Sequence, residues 1–452
     1  MIGTLAAVVA AMMSLTTAAA TAAPAAPAAT AQHYTGVLAD GATWVADVPA
    51  NYNGTILLFS HGFGPLIAAN QPGYAGDVLQ REGYAVVGSS YSGNTWWALA
   101  SAVNDQFGAL EALEKIIGQA DQTYAIGQSM GGLVSSLENE RNGGRLDGVL
   151  TTCGLVAGGV NLNNYQLDGE YALNQLLEPQ TDVKLVNFAD STEAAASAAA
   201  LTSIAQRNSD TPQGRARIAL AAALLNAPKW LTGPEPAPQD YAAQQAQQVQ
   251  LLTGGLFNFI VTGRLQIELA AGGNSSFTVG VKYRSRLRDS GYLNLVKAAY
   301  RSAGLDLGDD LAALERNADI TADPAAIAQL KASSHATGRL TVPQLNIHNI
   351  EDQLVPVQQE NWYAHQVADA GRSRLLRQVY TTSPGHCNFT SGELIVALHA
   401  LIHRVRSGHW GDSADPAVLN AAASAGNYGP TAFAPYRPAR LGGARIYPHH
   451  RS

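Results

Sequence analysis

One stretch of the chain has residue types and spacing suited to nucleophilic chemistry: Gly127-Gln128-Ser129-Met130-Gly131. A serine on a tight turn between a strand and a helix needs small neighbours two residues away on either side, because a Cβ there would clash with the turned backbone. Gly127 and Gly131 meet that demand. Such a turn lifts the Ser129 hydroxyl clear of a sheet, and the N–H of Met130, at the start of the following helix, can point at an oxyanion. The chemistry served would be acyl transfer: attack on a carbonyl carbon, stabilisation of the oxyanion, and a covalent acyl-serine that water later clears. With 44 glycines in 452 residues the motif alone is weak, so its surroundings must decide.

Those surroundings read as alternating strands and helices. Thr123 to Ile126 is a short apolar run, and Gly131 to Asn139 continues as a helix with Leu133, Val134 and Leu137 on one face. Upstream, Tyr34 to Pro49 alternates apolar and polar positions, as antiparallel edge strands do, and Thr55 to Phe59 is continuously apolar, as a central strand covered on both faces must be. Tyr84 to Ser90 and Leu146 to Thr152 read as further strands, and Tyr74 to Glu82 as a helix. Asn104 to Gly118 reads as another helix, with Phe107, Leu110, Leu113 and Ile117 at helical spacing and Asn104 or Asp105 as its cap.

On these residues the sequence resembles the α/β-hydrolase superfamily, in which a Ser, an acid and a His follow in that chain order. The resemblance covers roughly residues 36–158 and 338–408. It implies an α/β fold with a mostly parallel central sheet. It also implies the rest of the machinery. Leu340 to Pro356 reads as strand, turn, acidic residue and Val-Pro, which places the triad acid at Asp352, with Glu351 as a possible substitute. Gln358 to Ala370 is then a helix, Arg374 to Tyr380 the last strand, and His386, in Ser383-Pro-Gly-His386-Cys387, the general base. His348, His399 and His403 compete for that role but are better explained by packing or solvent exposure. The Ser60-His61-Gly62-Phe63-Gly64-Pro65 turn would supply the second oxyanion donor, the N–H of Phe63, beside that of Met130. Tyr91, Trp96 and Trp97 fall at the carboxyl side of the sheet, where ligands bind in this architecture, although the two tryptophans could equally fill the gap beneath a lid.

From about Ala157 to Arg339 the strand pattern stops and helical segments dominate, broken by Pro and Gly clusters such as Thr232 to Pro238. This is too long for one crossover and reads as an inserted helical cap. Phe257, Phe259, Ile260, Leu265 and Ile267 could face the site, with burial inside the cap the default for most of them. The expected organisation is a signal peptide over 1–31, hydrolase core over 32–158, cap over 159–337, core again over 338–410 and a Pro, Gly and Ala-rich tail over 411–452 in which no core is visible.

Charged residues are 14% and the net charge is -7, so nothing basic argues for nucleic acid, and small or polymeric ester substrates are the expected partners. The apolar start followed by Ala, Thr and Pro reads as a secretory signal rather than a membrane anchor, although no Lys or Arg precedes it. Two cysteines, Cys153 and Cys387, suit an exported protein either as one disulfide or as two buried thiols. The expected activity is a secreted carboxylic ester hydrolase that needs no metal or organic cofactor. An exo-acting peptidase of the prolyl aminopeptidase type, an amidase or a lactonase are the alternatives.

Overall fold

The continuous apolar runs pair into one sheet. The computed structural model describes residues 30–231 and 238–447; most of the expected signal segment, and the Pro-rich cluster after Thr232, lie outside them. Nine strands, β1 (Gln32–Val37), β2 (Thr43–Val48), β3 (Thr55–Ser60), β4 (Ala85–Ser89), β5 (Gln122–Gln128), β6 (Gly148–Thr152), β7 (Gln344–Asn349), β8 (Leu376–Thr381) and β9 (Phe433–Ala434), form a sheet of order β1-β2-β4-β3-β5-β6-β7-β8-β9. The six strands from β4 to β8 in this order run parallel. The pairs β1–β2, β2–β4 and β8–β9 are antiparallel. This is the α/β-hydrolase fold.

Parallel strands must be covered on both faces, and the period of two along each strand divides the apolar residues accordingly. Ile56, Leu58 and Ala125 pack with Leu110 and Leu133 of the helices Ala102–Ile117 and Met130–Glu140 on one face. Leu57, Phe59, Tyr124 and Ile126 pack with Val78 and Leu394 of the helices Gly76–Arg81 and Ser391–Ser407 on the other. Between β6 and β7 the chain makes nine helices among the described residues, from Gly158–Leu177 to Pro324–Ser333, around an apolar core of their own. Arg264 and Glu170 form an ion pair at 2.8 Å inside this segment, with both side chains wholly buried. Two further acceptors, the carbonyl of Asn163 and the Ser276 hydroxyl, meet the guanidinium at 2.9 and 3.0 Å and offset part of the cost of burying the pair.

Two expectations are corrected. The helix expected to start at Asn104 opens at Ala102, and Asp105 caps nothing; it is buried, and its Oδ2 accepts the N–H and hydroxyl of Ser92 at 2.7 and 3.0 Å, pinning the loop after β4. The run Asn161-Leu-Asn-Asn-Tyr-Gln166, which the sequence did not single out, lies in the longest helix of the described residues, Gly158–Leu177, with nearly every side chain buried. The tail after 411 is not coreless. It forms the helix Pro416–Ala425 and strand β9, and buries Leu419, Phe433, Leu441 and Ala444. Arg445 grips Asp168 through two contacts of 3.0 and 2.7 Å, so a charge pair outweighs the low hydrophobicity that made the tail look loose.

Candidate active site

Ser129 sits between the end of β5 and the helix Met130–Glu140 with φ 58° and ψ −121°, a conformation that costs a non-glycine residue energy. The neighbours make it possible. A Cβ on Gly127 would run into the Gly131 carbonyl, and one on Gly131 into the Ser60 carbonyl. The strand and helix therefore cross too closely for any residue but glycine at either position.

The Ser129 Oγ lies 2.8 Å from His386 Nε2, and His386 Nδ1 lies 2.8 Å from Asp352 Oδ2. The tautomer that satisfies both contacts carries its proton on Nδ1, donates to Asp352 and accepts the Ser129 hydroxyl on Nε2. Asp352 follows β7 and is buried. Its Oδ1 accepts the N–H groups of Leu354 and Val355, both at 2.9 Å, which leaves Oδ2 aimed at the histidine. His386 follows β8 on a loop held from three sides. The Gly385 N–H donates to the Glu351 carbonyl at 3.0 Å, the Asn349 amide donates to the carbonyls of Ser383 and Asn388, and Cys387 is joined to Cys153 by a disulfide. Cys153, just past β6, and Cys387 both have positive φ. With both thiols bonded to each other, the cluster of Cys153, Cys387 and His386 offers a metal no thiolate.

The remaining acid and base candidates lie elsewhere. Glu351 turns toward the helical segment and accepts the Lys229 N–H at 2.9 Å; burial pushes its carboxyl up to about 7. His348 is buried, with Nδ1 3.1 Å from Glu360 and Nε2 2.8 Å from the Val355 carbonyl. Burial opposes its charging, but Glu360 and Asp352 more than offset that and hold its pKa above the ordinary value. His399 sits 3.6 Å from Glu82 on the far helix.

The Met130 N–H lies in the first turn of its helix, where amide donors have no intrahelical acceptor. The turn that carries Phe63 presses against it: a Cβ on Gly62 would stand 3.3 Å from the Ser129 Cβ. This turn rests on a buried support that includes Tyr91, and the expected substrate contact of Tyr91 is therefore corrected. Tyr91 is buried, stacks on His61 with centroids 4.1 Å apart, and donates its hydroxyl to the His61 carbonyl at 2.9 Å. Trp96 is 39% exposed, meets Phe63 edge-on and stays outside the cavity lining, whereas the buried Trp97 is part of it.

That cavity is narrow, about 40 Å³, and lies over Ser129 and His386. Its walls are apolar: Phe63, Trp97 and Leu155 from the sheet side, Phe259, Ile260 and Ile267 from the helix Leu256–Ala271. Phe257 and Leu265 of the same helix turn away into the core of the helical segment. Leu162 and Gln166, which the sequence did not single out, complete the lining from the helix Gly158–Leu177.

Behind the nucleophile, Glu138 is buried and accepts the Ser60 hydroxyl at 2.8 Å; that hydroxyl in turn accepts the Gln106 amide at 2.7 Å. Burial pushes its carboxyl up to about 8 from the usual 4.5. The folded state therefore retains a proton that the unfolded chain releases. The stability this confers is complete below pH 4.5 and is lost as pH rises through about 8. Thermal melts of Glu138→Gln should consequently lack part of the alkaline fall seen in the parent chain, a difference of up to about 1.4 kcal/mol per pH unit across that window. Parallel melting curves from pH 5 to 9 would refute it.

No family profile matches the sequence. An o-phthalyl amidase from Xanthobacter agilis is 27% identical over 425 residues, which span 87% of this chain and 91% of that protein. Among solved structures, feruloyl esterase B from Aspergillus oryzae aligns with 84% of this chain and 80% of its own at 16% identity and a TM-score of 0.39. The acylaminoacyl peptidase from Pyrococcus horikoshii aligns with 79% of this chain at 11% identity and a TM-score of 0.34, and this chain spans 37% of that protein.

Proposed function

We propose that this chain is a serine hydrolase that cleaves carboxylic acyl compounds, esters in the first place, through an acyl-enzyme. The observation that carries the reading is the unbroken hydrogen-bonded relay from Ser129 through His386 to Asp352, with the nucleophile opening into an apolar cavity. His386 takes the hydroxyl proton as the Ser129 Oγ attacks the carbonyl carbon, and Asp352 stabilises the imidazolium so formed. The N–H groups of Phe63 and Met130 hold the oxyanion. His386 then protonates the leaving alkoxide or amine, and a water activated by the same ring hydrolyses the acyl-serine.

The helices from Gly158 to Ser333 act as a cap over this site, and the disulfide fits export into an oxidising compartment. No helix of the described residues is long and apolar enough to cross a membrane. An aminopeptidase reading loses support because the cavity lining, among the described residues, includes no Asp or Glu to hold a free α-amine. An amidase is the second reading, favoured by the near full-length similarity to the o-phthalyl amidase.

The test is a panel of p-nitrophenyl acyl esters, N-acyl p-nitroanilides and free aminoacyl p-nitroanilides, with the chain as it stands and with Ser129→Ala. Esters should be hydrolysed fastest and aminoacyl anilides least. A kcat/KM for N-acyl anilides above that for the matched esters would replace the ester reading by the amidase one. Preference for the free amine would overturn both.

A further inference from the structure

One polar side chain in the cavity takes no part in the serine chemistry. Gln166, on the helix Gly158–Leu177, shares the cavity lining with Ser129 and His386 and is 6% exposed. Its carboxamide has no hydrogen-bond partner among the described residues, yet neither its oxygen nor its nitrogen is among the polar atoms sealed off by protein. The amide therefore opens onto the cavity. It brings two N–H donors and one acceptor oxygen to an otherwise hydrocarbon wall, and a buried amide left unpaired is destabilising. A group entering the cavity gains by meeting it.

The other walls restrict what that group can be. Phe63, Trp97 and Phe259 supply aromatic surface around a narrow space that suits a flat group better than a bulky one. Among the described residues no Lys, Arg, Asp or Glu lines the space, so a charge carried into it would be desolvated without a counter-ion.

We infer that Gln166 is a specificity-determining residue. The acyl group it selects is a compact, flat, apolar one, such as a substituted benzoyl, carrying a single neutral hydroxyl, carbonyl or amide that pairs with the Gln166 carboxamide. This rests on the serine-hydrolase reading and names the substrate class of the same site. A site built to hydrogen-bond a substituent discriminates against the analogue that lacks it, because the protein group is then stranded.

The experiment uses phenylboronic acid, its 2-, 3- and 4-hydroxy derivatives and 2-, 3- and 4-carboxyphenylboronic acid. Boron accepts an electron pair from the Ser129 Oγ as His386 takes the hydroxyl proton, giving a tetrahedral adduct whatever leaving group the natural substrate has. Binding is read as protection of Ser129 from a small alkyl fluorophosphonate. One hydroxy isomer should protect at a concentration about tenfold or more below phenylboronic acid, and the carboxy compounds should not surpass it. In Gln166→Leu that advantage should vanish while fluorophosphonate labelling and protection by phenylboronic acid persist. The inference is overturned if the parent chain ranks the hydroxy and unsubstituted compounds equally, a result that needs no variant. It is also overturned if the carboxy compounds bind best, if Gln166→Leu keeps the preference, or if no arylboronic acid protects although Ser129 still labels. Failure of Ser129 to label at all would instead bring down the serine-hydrolase reading, and this inference with it.

Discussion

Turnover of the best ester substrate should fall by a factor on the order of 10⁴–10⁶ in Ser129→Ala, with covalent labelling by a fluorophosphonate abolished and the thermal melt nearly unchanged. The oxygen removed is the one that lies 2.8 Å from His386 Nε2, and nothing else at the elbow depends on it. The residual rate would come from the oxyanion donors and binding alone. Asp352→Asn tests the relay separately. The two N–H donors from Leu354 and Val355 would hold an asparagine oxygen as they hold Oδ1. The amide would then face His386 Nδ1 as a donor and force the other tautomer, with a loss of about 10⁴-fold in kcat. If Ser129→Ala retained more than a few per cent of the activity, the nucleophile would have to be sought elsewhere.

Removing the Cys153–Cys387 bridge should have the second largest effect, and it should reach both stability and rate. The two residues are 234 positions apart, and closing so long a loop in the unfolded chain corresponds to about 5 kcal/mol in the chain-entropy model. The bridge also ties the His386 loop to the segment after β6, whose Cys153 N–H donates to the Ile347 carbonyl of β7 at 2.9 Å. We expect the double variant Cys153→Ala with Cys387→Ala to melt about 5–10 °C lower. The rate loss should appear in kcat rather than KM, because a histidine loop freed on one side spends less time at hydrogen-bonding distance from Ser129. A melting point and kcat both matching the parent chain would show that the loop is held by its Asn349 and Glu351 hydrogen bonds alone.

The sequence by itself determined the elements whose signal is local. The elbow was legible because a strained turn tolerates only glycine at 127 and 131, so its geometry is written into residue identity. The central strands were legible because burial on both faces demands unbroken apolar runs, as at Thr55–Ser60. The chain order of Ser129, Asp352 and His386 named the three candidates, but order carries no distance. Only the sheet, by setting β5, β7 and β8 in parallel with β6 between β5 and β7, brought their carboxyl ends to one rim.

What stayed hidden depends on partners remote in the chain. The helix Gly158–Leu177 has no readable apolar stripe because polar side chains are buried among its apolar ones, and some find partners more than a hundred residues away, as Asn163 and Asn164 do on Ser275. Tyr91 looked like a ligand contact and became a support for the His61 turn, since an aromatic side chain carries no mark of which neighbour it will stack on. The tail after 411 looked empty because its few buried apolar residues are scattered and part of its anchoring is a pair of a guanidinium and a buried carboxylate 277 residues apart. Local backbone strain and two-sided burial leave a trace in residue type, whereas polar burial acquires its stabilising partners only once the chain has closed on itself.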